Sequence, residues 1–206
     1  QIKVLQSVVA TLIEGGRGVM GTPRPKQPAK PLKLYEFEGS PFCRRVREVI
    51  TLLNLDVEIY PCPKGGKKYR HIVNDKGGKK QFPFLIDENT GAQLYESQEI
   101  IHYLFKHYGK TGQTPRKFSH YPKLPYISAL ASVANVGRGI WIDQQIIDRP
   151  APEKLLELWS FEASPYTRLV REVLTELELP YVLHNVPKER WQDMGPAVLR
   201  LKPGHY

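Results

Sequence analysis

An internal repeat limits what this chain can fold into more than any of its other features. When the 206-residue sequence is shifted by 124 positions, residues 34–64 align with residues 158–188 without a gap. The two segments read LYEFEGSPFCRRVREVITLLNLDVEIYPCPK and LWSFEASPYTRLVREVLTELELPYVLHNVPK. Coincidence does not produce so many identities, so we expect both segments to fold as the same structural unit.

A fainter echo precedes each copy at a shift of 121. Residues 7–20 (SVVATLIEGGRGVM) parallel residues 128–141 (SALASVANVGRGIW), and both contain Gly-Arg-Gly near their end. Proline-bearing linkers follow at residues 21–31 and 143–152. Glycine ends helices and proline cannot continue them, so each repeat is predicted to begin with a short helix and a stiff linker. The two helices, at residues 4–13 and 127–136, are expected to pack on a partner or, preferably, on each other.

Hydrophobic periodicity in the first copy predicts the order β-α-β, then β-β-α. A helix begins at Ser40-Pro41, because serine caps helices and proline fits the first helical position. Its apolar residues recur at three- and four-residue spacing and predict a core face. The residues expected to face solvent are Arg44, Arg45, Arg47 and Glu48. The other predicted elements are strands 33–37, 57–60, 82–86 and 93–95, a turn at 87–91, and a helix from Glu96 to Tyr108.

Charge is unevenly distributed along the chain. The formal net charge is +9, from 30 basic and 21 acidic residues. The basic stretch, residues 64–80, holds Lys64, Lys67, Lys68, Arg70, Lys76, Lys79 and Lys80 against Asp75. It is either a solvated loop or a contact for an anionic ligand, an acidic protein or a membrane surface. Nucleic acid is not expected, since the stretch has no aromatic-lined groove or recognised motif.

The two cysteines, Cys43 and Cys62, cannot make a disulfide scaffold of the secreted kind, which indicates a reducing compartment. No apolar run approaches the roughly 20 residues that span a bilayer.

Three motifs in the first copy resemble the N-terminal domain of glutathione S-transferases and the glutaredoxins, within the thioredoxin superfamily. They are Ser40-Pro41-Phe42-Cys43 after the first strand, Gln81-Phe82-Pro83 before the third, and Glu96-Ser97 at the last helix. The tandem arrangement resembles a group of plant and cyanobacterial proteins, located in the chloroplast in plants. The resemblance implies an α/β fold with two tandem thioredoxin-like units around a mixed sheet, the second incomplete.

The resemblance also implies a domain plan. Residues 1–31 hold the helix and proline-rich linker, 32–109 the first unit, 110–154 a linker with a helix, and 155–206 the second unit. The repeat shift places the end of the second unit near position 233, so we expect that unit to be truncated in this chain.

The family's ligand is glutathione, and no metal is expected. By resemblance, Gln81, Phe82 and Pro83 would border the cysteinyl part of glutathione, with Pro83 in the place of the family's cis-proline. Glu96 would accept from the γ-glutamyl ammonium, and Ser97 at a helix N-terminus would bind its carboxylate. Plausible partners for the glycine carboxylate are Lys79 and Lys80.

Ser40 and Cys43 are the candidate catalytic residues. The N-terminus of a helix stabilises a thiolate placed beside Ser40, which would act by hydrogen bonding. Serine stands where glutaredoxins carry the attacking thiolate, so dithiol oxidoreductase activity is disfavoured. The second copy has Ser164 and Thr167 at these positions.

Each motif also has a purely structural interpretation. Ser40 is a good helix cap, and Pro83 shapes a sheet. Glu96-Ser97 can start a helix, and both cysteines can be inert buried thiols.

Two functions therefore compete. The first is a glutathione-binding protein with at most weak serine-type transferase activity. The alternative is a non-catalytic interaction or assembly module of a chloroplast protein complex. Residues 110–153 are too few to replace the helical domain that binds electrophiles in ordinary glutathione transferases, so enzymatic activity stays open. Monothiol chemistry at Cys43 ranks below both.

Overall fold

The computed structural model describes residues 2–13, 18–22, 27–119, 137–146 and 148–188. The helices are α1 (Ile2–Ile13), α2 (Pro41–Leu52), α3 (Arg70–Gly77), α4 (Ser97–Tyr108), α5 (Arg116–Ser119) and α6 (Pro165–Glu176), with a 3-10 turn at Gln144–Ile146. The strands are β1 (Leu32–Glu36), β2 (Val57–Pro61), β3 (Phe84–Asp87), β4 (Ala92–Leu94), β5 (Leu156–Ser160) and β6 (Tyr181–Asn185).

The described strands form one mixed sheet in the order β4-β3-β1-β2-β6-β5. β1 runs parallel to β2 and antiparallel to β3, which pairs antiparallel with β4. The first copy thus folds as β-α-β followed by β-β-α, and the predicted mixed α/β class is confirmed. α2 and α4 pack together, and their apolar faces join the inward residues of β1 and β2 in the main core.

Helix α3 was not predicted. It lies within the basic stretch, where the sequence indicated only a connection between strands. Val73 is its buried side chain, and Gly78 ends it in the left-handed conformation at φ 74°. One buried apolar residue in eight is too weak a periodic signal to indicate a helix.

The two copies of the repeat meet edge to edge through β2 and β6. The strands pair antiparallel, with Glu58 opposite Val182 and Ile59 opposite Tyr181. Glu58 and Val182 are equivalent positions under the 124-residue shift. A pseudo-twofold axis therefore passes through this pair, and the copies associate as the subunits of a symmetric dimer do.

The segment upstream of each copy contacts the opposite copy. We call residues 18–22 the first arm and residues 137–142 the second arm. The Gly39 N–H donates to the Gly139 carbonyl at 3.1 Å, and the Ala163 N–H donates to the Gly18 carbonyl at 3.2 Å. Gly18 and Gly139 are equivalent under the 121-residue shift. The arms are therefore exchanged between the copies about the same pseudo-twofold axis.

Buried ion pairs also cross this axis. Arg47 Nε lies 2.8 Å from Glu162 Oε2, and Arg171 Nε lies 3.0 Å from Glu38 Oε2. These two pairs are each other's equivalents under the repeat shift. Further contacts within the network join Arg47 to Glu36 and Glu38, Arg171 to Glu162, and Arg44 to Glu162.

The solvent-facing side predicted for α2 is therefore wrong. The side chains of Arg44, Arg45, Arg47 and Glu48 are all buried. Their polar pattern is that of a surface helix, but here Arg44 and Arg47 pair with Glu162 of the second copy, and Arg45 donates to Gln98 of α4. Although burial opposes the charged form, attraction to Arg171, Arg47 and Arg44 holds the pKa of Glu162 well below its usual range.

Helix α1 packs against α6 of the second copy. The Ser7 hydroxyl donates to the Pro165 carbonyl at 2.8 Å, and Arg168 Nη1 donates to the Ser7 carbonyl at 3.1 Å. The second small-residue helix, predicted at residues 127–136, lies outside the described residues. Within the described ranges, no helix combines the length and the apolar character needed to cross a membrane.

Candidate functional site

The sheet brings two of the sequence motifs to one edge. β1 and β3 are adjacent and antiparallel, so the loop that follows β1 lies beside the segment that precedes β3. The Phe37 and Phe82 rings meet edge to face at 6.3 Å between centroids. The Ser40 N–H donates to the Phe37 carbonyl at 3.1 Å, which fixes Ser40 next to this aromatic pair.

Ser40 is the N-cap of α2. Its hydroxyl accepts a hydrogen bond from the Cys43 N–H at 3.3 Å, and 4% of the residue is exposed. Ser164 caps α6 in the same way, accepting from the Thr167 N–H at 3.4 Å. Capping is common to both copies and does not by itself distinguish a binding site.

The cysteines are buried and protonated. Burial raises the pKa of Cys43 to about 12, and burial also raises that of Cys62 well above its ordinary value. Nucleophilic chemistry requires a thiolate, so neither thiol has the ionisation that reactive cysteines show. The raised pKa of its thiol therefore disfavours Cys43 as a nucleophile.

Phe82 and Pro83 are joined by a cis peptide bond. The β1–β3 ladder starts only at Phe84, opposite Tyr35. Within the part of the chain that the structure describes, the Phe82 backbone makes no hydrogen bond, so its N–H and C=O are available to an extended peptide ligand. The Arg70 guanidinium stacks over the Phe82 ring at 4.6 Å and donates to the Cys62 carbonyl at 2.7 Å.

Glu96 has a strained backbone. Its φ of 60° and ψ of 117° lie outside the regions that residues other than glycine normally adopt. Such strain costs about 1–3 kcal/mol and concentrates at functional sites. The Gln81 side-chain amide donates to the Glu96 carboxylate at 2.5 Å, which joins the motif before β3 to the start of α4.

Ser97 is the first residue of α4 and is buried. The N–H groups of the first helical turn lack partners within the helix and carry a partial positive charge, which suits a carboxylate. Arg45 Nη2 donates to Gln98 Oε1 at 2.8 Å and so connects α2 to this turn. The second and third motifs are therefore in direct contact through Gln81 and Glu96, and the first is connected to them through its neighbours Phe37 and Arg45.

The backbone of the basic stretch is held within the protein, whereas the side chains of Lys64, Lys67, Lys76, Lys79 and Lys80 are exposed. The Lys67 and Lys68 N–H groups donate to the Glu178 carboxylate, at 3.3 and 3.2 Å. The Lys64 ammonium lies over the Trp141 ring at 5.1 Å. Lys79 and Lys80 directly precede Gln81 and are exposed, so they remain candidates for the glycine carboxylate of glutathione.

Two contributors to this edge were not identified from the sequence. Arg70 was counted only as part of the basic stretch. Ile140 contacts Gly39 from the second arm, where a Cβ on Gly39 would lie 2.3 Å from Ile140 Cγ1. The Gly-Arg-Gly echo marked the arm, but it did not indicate which copy the arm binds.

No group of three or more His, Cys, Asp or Glu side chains among the described residues is placed to hold a metal ion.

Comparison with known proteins identified one family. The family model described as the N-terminal domain of glutathione S-transferases matches residues 34–114 and again residues 158–203. A solved glutathione transferase from Bombyx mori is 30% identical, covering 41% of this chain and 39% of that chain, with a TM-score of 0.37. The chain thus corresponds to less than half of that transferase. No curated protein sequence matched significantly.

Proposed function

Since this chain belongs to the glutathione S-transferase N-terminal domain family, we propose that its first copy binds glutathione and has at most weak serine-type transferase activity. The backbone of Phe82, next to Pro83, would hydrogen-bond to the cysteinyl part of the tripeptide. Glu96 would bind the γ-glutamyl ammonium, and the α4 N-terminus at Ser97 would bind the adjacent carboxylate.

Ser40 would support the chemistry by hydrogen bonding. Its hydroxyl would donate to the glutathione sulfur, and the α2 N-terminus would favour the thiolate over the thiol. The thiol proton passes to solvent, and the sulfur lone pair then forms the bond to an electrophilic carbon. In an addition, the π-electron pair of that carbon moves to the adjacent atom, which takes up a proton from solvent. Cys43, buried beneath Ser40 with a raised pKa, would contribute packing to this arrangement.

The backbone of Glu96 is the observation that carries this proposal. A glutamate at φ 60° is costly, and an ordinary helix start does not require it. The strain is explained if this conformation is needed to present both the carboxylate and the free N–H groups of α4 to one ligand.

Isothermal titration calorimetry of the intact protein with glutathione tests the proposal. Glu96→Gln keeps the shape of the side chain and removes its charge, so we expect it to weaken binding by about tenfold or more. Glu99→Gln is the matched control, because Glu99 is also exposed on the first turn of α4. The proposal would be overturned if no binding were found at millimolar glutathione, or if the two variants weakened binding equally.

A second candidate function is a non-catalytic interaction or assembly module of a chloroplast complex, the location that the resemblance to plant tandem proteins implies. Its support is an exposed apolar face on α6, where Val170 and Val173 are 45% and 50% exposed. The equivalent Val46 and Val49 are fully buried beside α4. The basic stretch would offer such a module a contact for an acidic protein or a membrane surface.

Affinity purification from plastid extract tests this second function. Val173→Asp should abolish capture of a partner, whereas Glu157→Gln, a change at an exposed polar position of β5, should leave it intact. Recovery of the monomer alone with the unaltered protein would count against it.

A further inference from the structure

The second arm is bound along its length to the first copy. The Lys64 N–H donates to the Ile140 carbonyl at 2.7 Å, and the Ile142 N–H donates to the Lys64 carbonyl at 3.0 Å. The Gly39 N–H bonds to Gly139 beside them. The arm is therefore attached to the loops that follow both β1 and β2.

Contacts to the second copy hold the arm from its other side. The Arg138 guanidinium pairs with the Glu172 carboxylate at 2.8 Å, and the Gly139 N–H donates to Glu176 Oε1 at 2.9 Å. Glycine is required at position 139, because its φ is 68° and a Cβ there would lie 2.8 Å from Glu38 Cβ. The arm is thus fixed in place rather than free to swing.

Ile140 packs directly against Gly39. Gly39 precedes Ser40, whose Cα is only about 3.8 Å further along the chain. The Ile140 side chain therefore lies against the residue that directly precedes Ser40, the residue proposed to contact the glutathione sulfur.

The equivalent pair in the second copy distributes its bulk differently. Ala163 stands where Gly39 does, and Val19 stands where Ile140 does. In the second copy, the loop residue Ala163 has a methyl group that Gly39 lacks. In the first copy, the arm residue Ile140 has one more carbon atom than Val19. In the first copy, the side-chain bulk next to the residue that precedes the capping serine thus comes from the arm rather than from the loop.

We propose that Ile140 is a specificity-determining residue of the Ser40 site, limiting the size of the electrophile that can reach the glutathione sulfur. The inference rests on the proposed glutathione-binding function. The second arm would supply a side of the electrophile pocket, so the first copy forms a complete site only with this segment from outside residues 32–109.

The ratio of kcat/KM values for two isothiocyanates of different size tests the role of Ile140. With allyl or phenethyl isothiocyanate, the glutathione sulfur bonds to the central carbon and the thiol proton ends on nitrogen, so nothing is released. Ile140→Ala should raise kcat/KM for the phenethyl compound about tenfold relative to the allyl compound. Ile140→Phe should shift the ratio in the opposite direction.

The pseudo-twofold axis provides the controls. Val19→Ala truncates the equivalent arm residue at the second copy and should leave the ratio unchanged. Ile140→Val, which removes only the Cδ1 methyl group, serves if the larger truncation unfolds the protein. It should shift the ratio in the same direction as Ile140→Ala, by a smaller factor.

Two failures are distinguishable. If glutathione binds and reacts but Ile140→Ala and Val19→Ala change the ratio equally, Ile140 does not determine specificity. If calorimetry finds no glutathione binding to the unaltered protein, both the proposed function and this inference are overturned.

Discussion

Ser40 and Ser164 occupy the same place on two copies of one helix, and each accepts a backbone hydrogen bond from the residue three positions on. Their surroundings differ. Ser40 lies beside the Phe37–Phe82 aromatic pair, in a copy that also holds Glu96. The repeat therefore indicates the role that the two serines share, which is to cap a helix. A chemical role for Ser40 is indicated only by the residues around it.

Removing each serine separates the two roles. Ser40→Ala and Ser164→Ala should each lower the free energy of unfolding by about 1 kcal/mol, the usual cost of losing a helix cap. Ser40→Ala alone should lower the glutathione-dependent rate, by about tenfold or more, since it removes a donor to the thiolate. Urea unfolding and initial rates measure both effects, and equal rate losses would contradict the assignment.

Glu36 predicts a dependence of stability on pH. Burial, opposed by the Arg47 charge, raises the pKa of Glu36 from 4.5 to about 7. A raised pKa means that the folded protein binds the proton more tightly, so this stabilisation is full below pH 4.5 and lost as the pH rises through 7.

Glu36→Gln should remove that dependence. The difference in unfolding free energy between the variant and the unaltered protein should therefore change between pH 5 and pH 8, with the variant relatively more stable at the higher pH. Urea titrations at the two pH values measure it. A difference that does not change with pH would show that Glu36 does not titrate in this range.

At the scale of elements, the sequence predicted the helices and strands whose apolar residues recur with a clear period. β1, β2 and α4 were found within one or two residues of their predicted bounds, and α2 begins at the predicted serine cap. α3 was missed because it buries one apolar residue. The arms could not be placed, because their hydrogen bonds join residues about 100 positions apart, such as Gly39 and Gly139. No local pattern encodes that pairing.

The arm glycines predict a steric effect on stability. Gly139 has a φ of 68°, and a Cβ there would lie 2.8 Å from Glu38 Cβ, whereas Gly91 has a φ of 77° with open space around it. Gly91→Ala should lower the free energy of unfolding by only about 1 kcal/mol, the cost of holding a residue with a Cβ at positive φ. Gly139→Ala should lower the free energy of unfolding clearly more, because its Cβ would also overlap with Glu38.

Gly18→Ala should resemble Gly139→Ala, since its Cβ would lie 2.6 Å from Glu162 Cβ. Urea midpoints of the three variants provide the comparison. Similar losses at Gly18, Gly139 and Gly91 would mean that the arms are not tightly seated.

At the scale of the whole molecule, the repeat was predicted but the association of its copies was not. Arg47 and Arg171 have the sequence spacing of surface residues, yet they form the buried contact between the copies. Their partners Glu38 and Glu162 lie more than 100 positions away in the other copy. The site motifs were recognisable because each is a short contiguous segment. The contribution of Ile140 could not be recognised from the sequence, because Ile140 reaches the first copy only through the exchange of the arms.

Breaking this network should unfold both copies together. Arg171→Ala leaves the buried Glu38 and Glu162 with fewer partners, and removing one member of a buried ion pair typically costs about 3–5 kcal/mol. Lys67→Ala, which removes the exposed pair with Asp148, should have no measurable effect.

Hydrogen exchange during urea unfolding measures the cooperativity. Amides of β1 and β6 should lose protection in a single transition, which shifts to lower urea in Arg171→Ala. Two separate transitions in the unaltered protein would contradict the coupling of the copies.

The central claim is that the first copy, and not the second, holds one glutathione against Phe82, Glu96 and Ser97. The most direct measurement is a titration of ¹⁵N-labelled protein with glutathione, followed by amide chemical shifts. The claim predicts saturable shifts at Phe82, Ser97 and Gln98, with Ser164 and Thr167 unmoved. No shifts at millimolar glutathione, or shifts concentrated around Ser164, would contradict it.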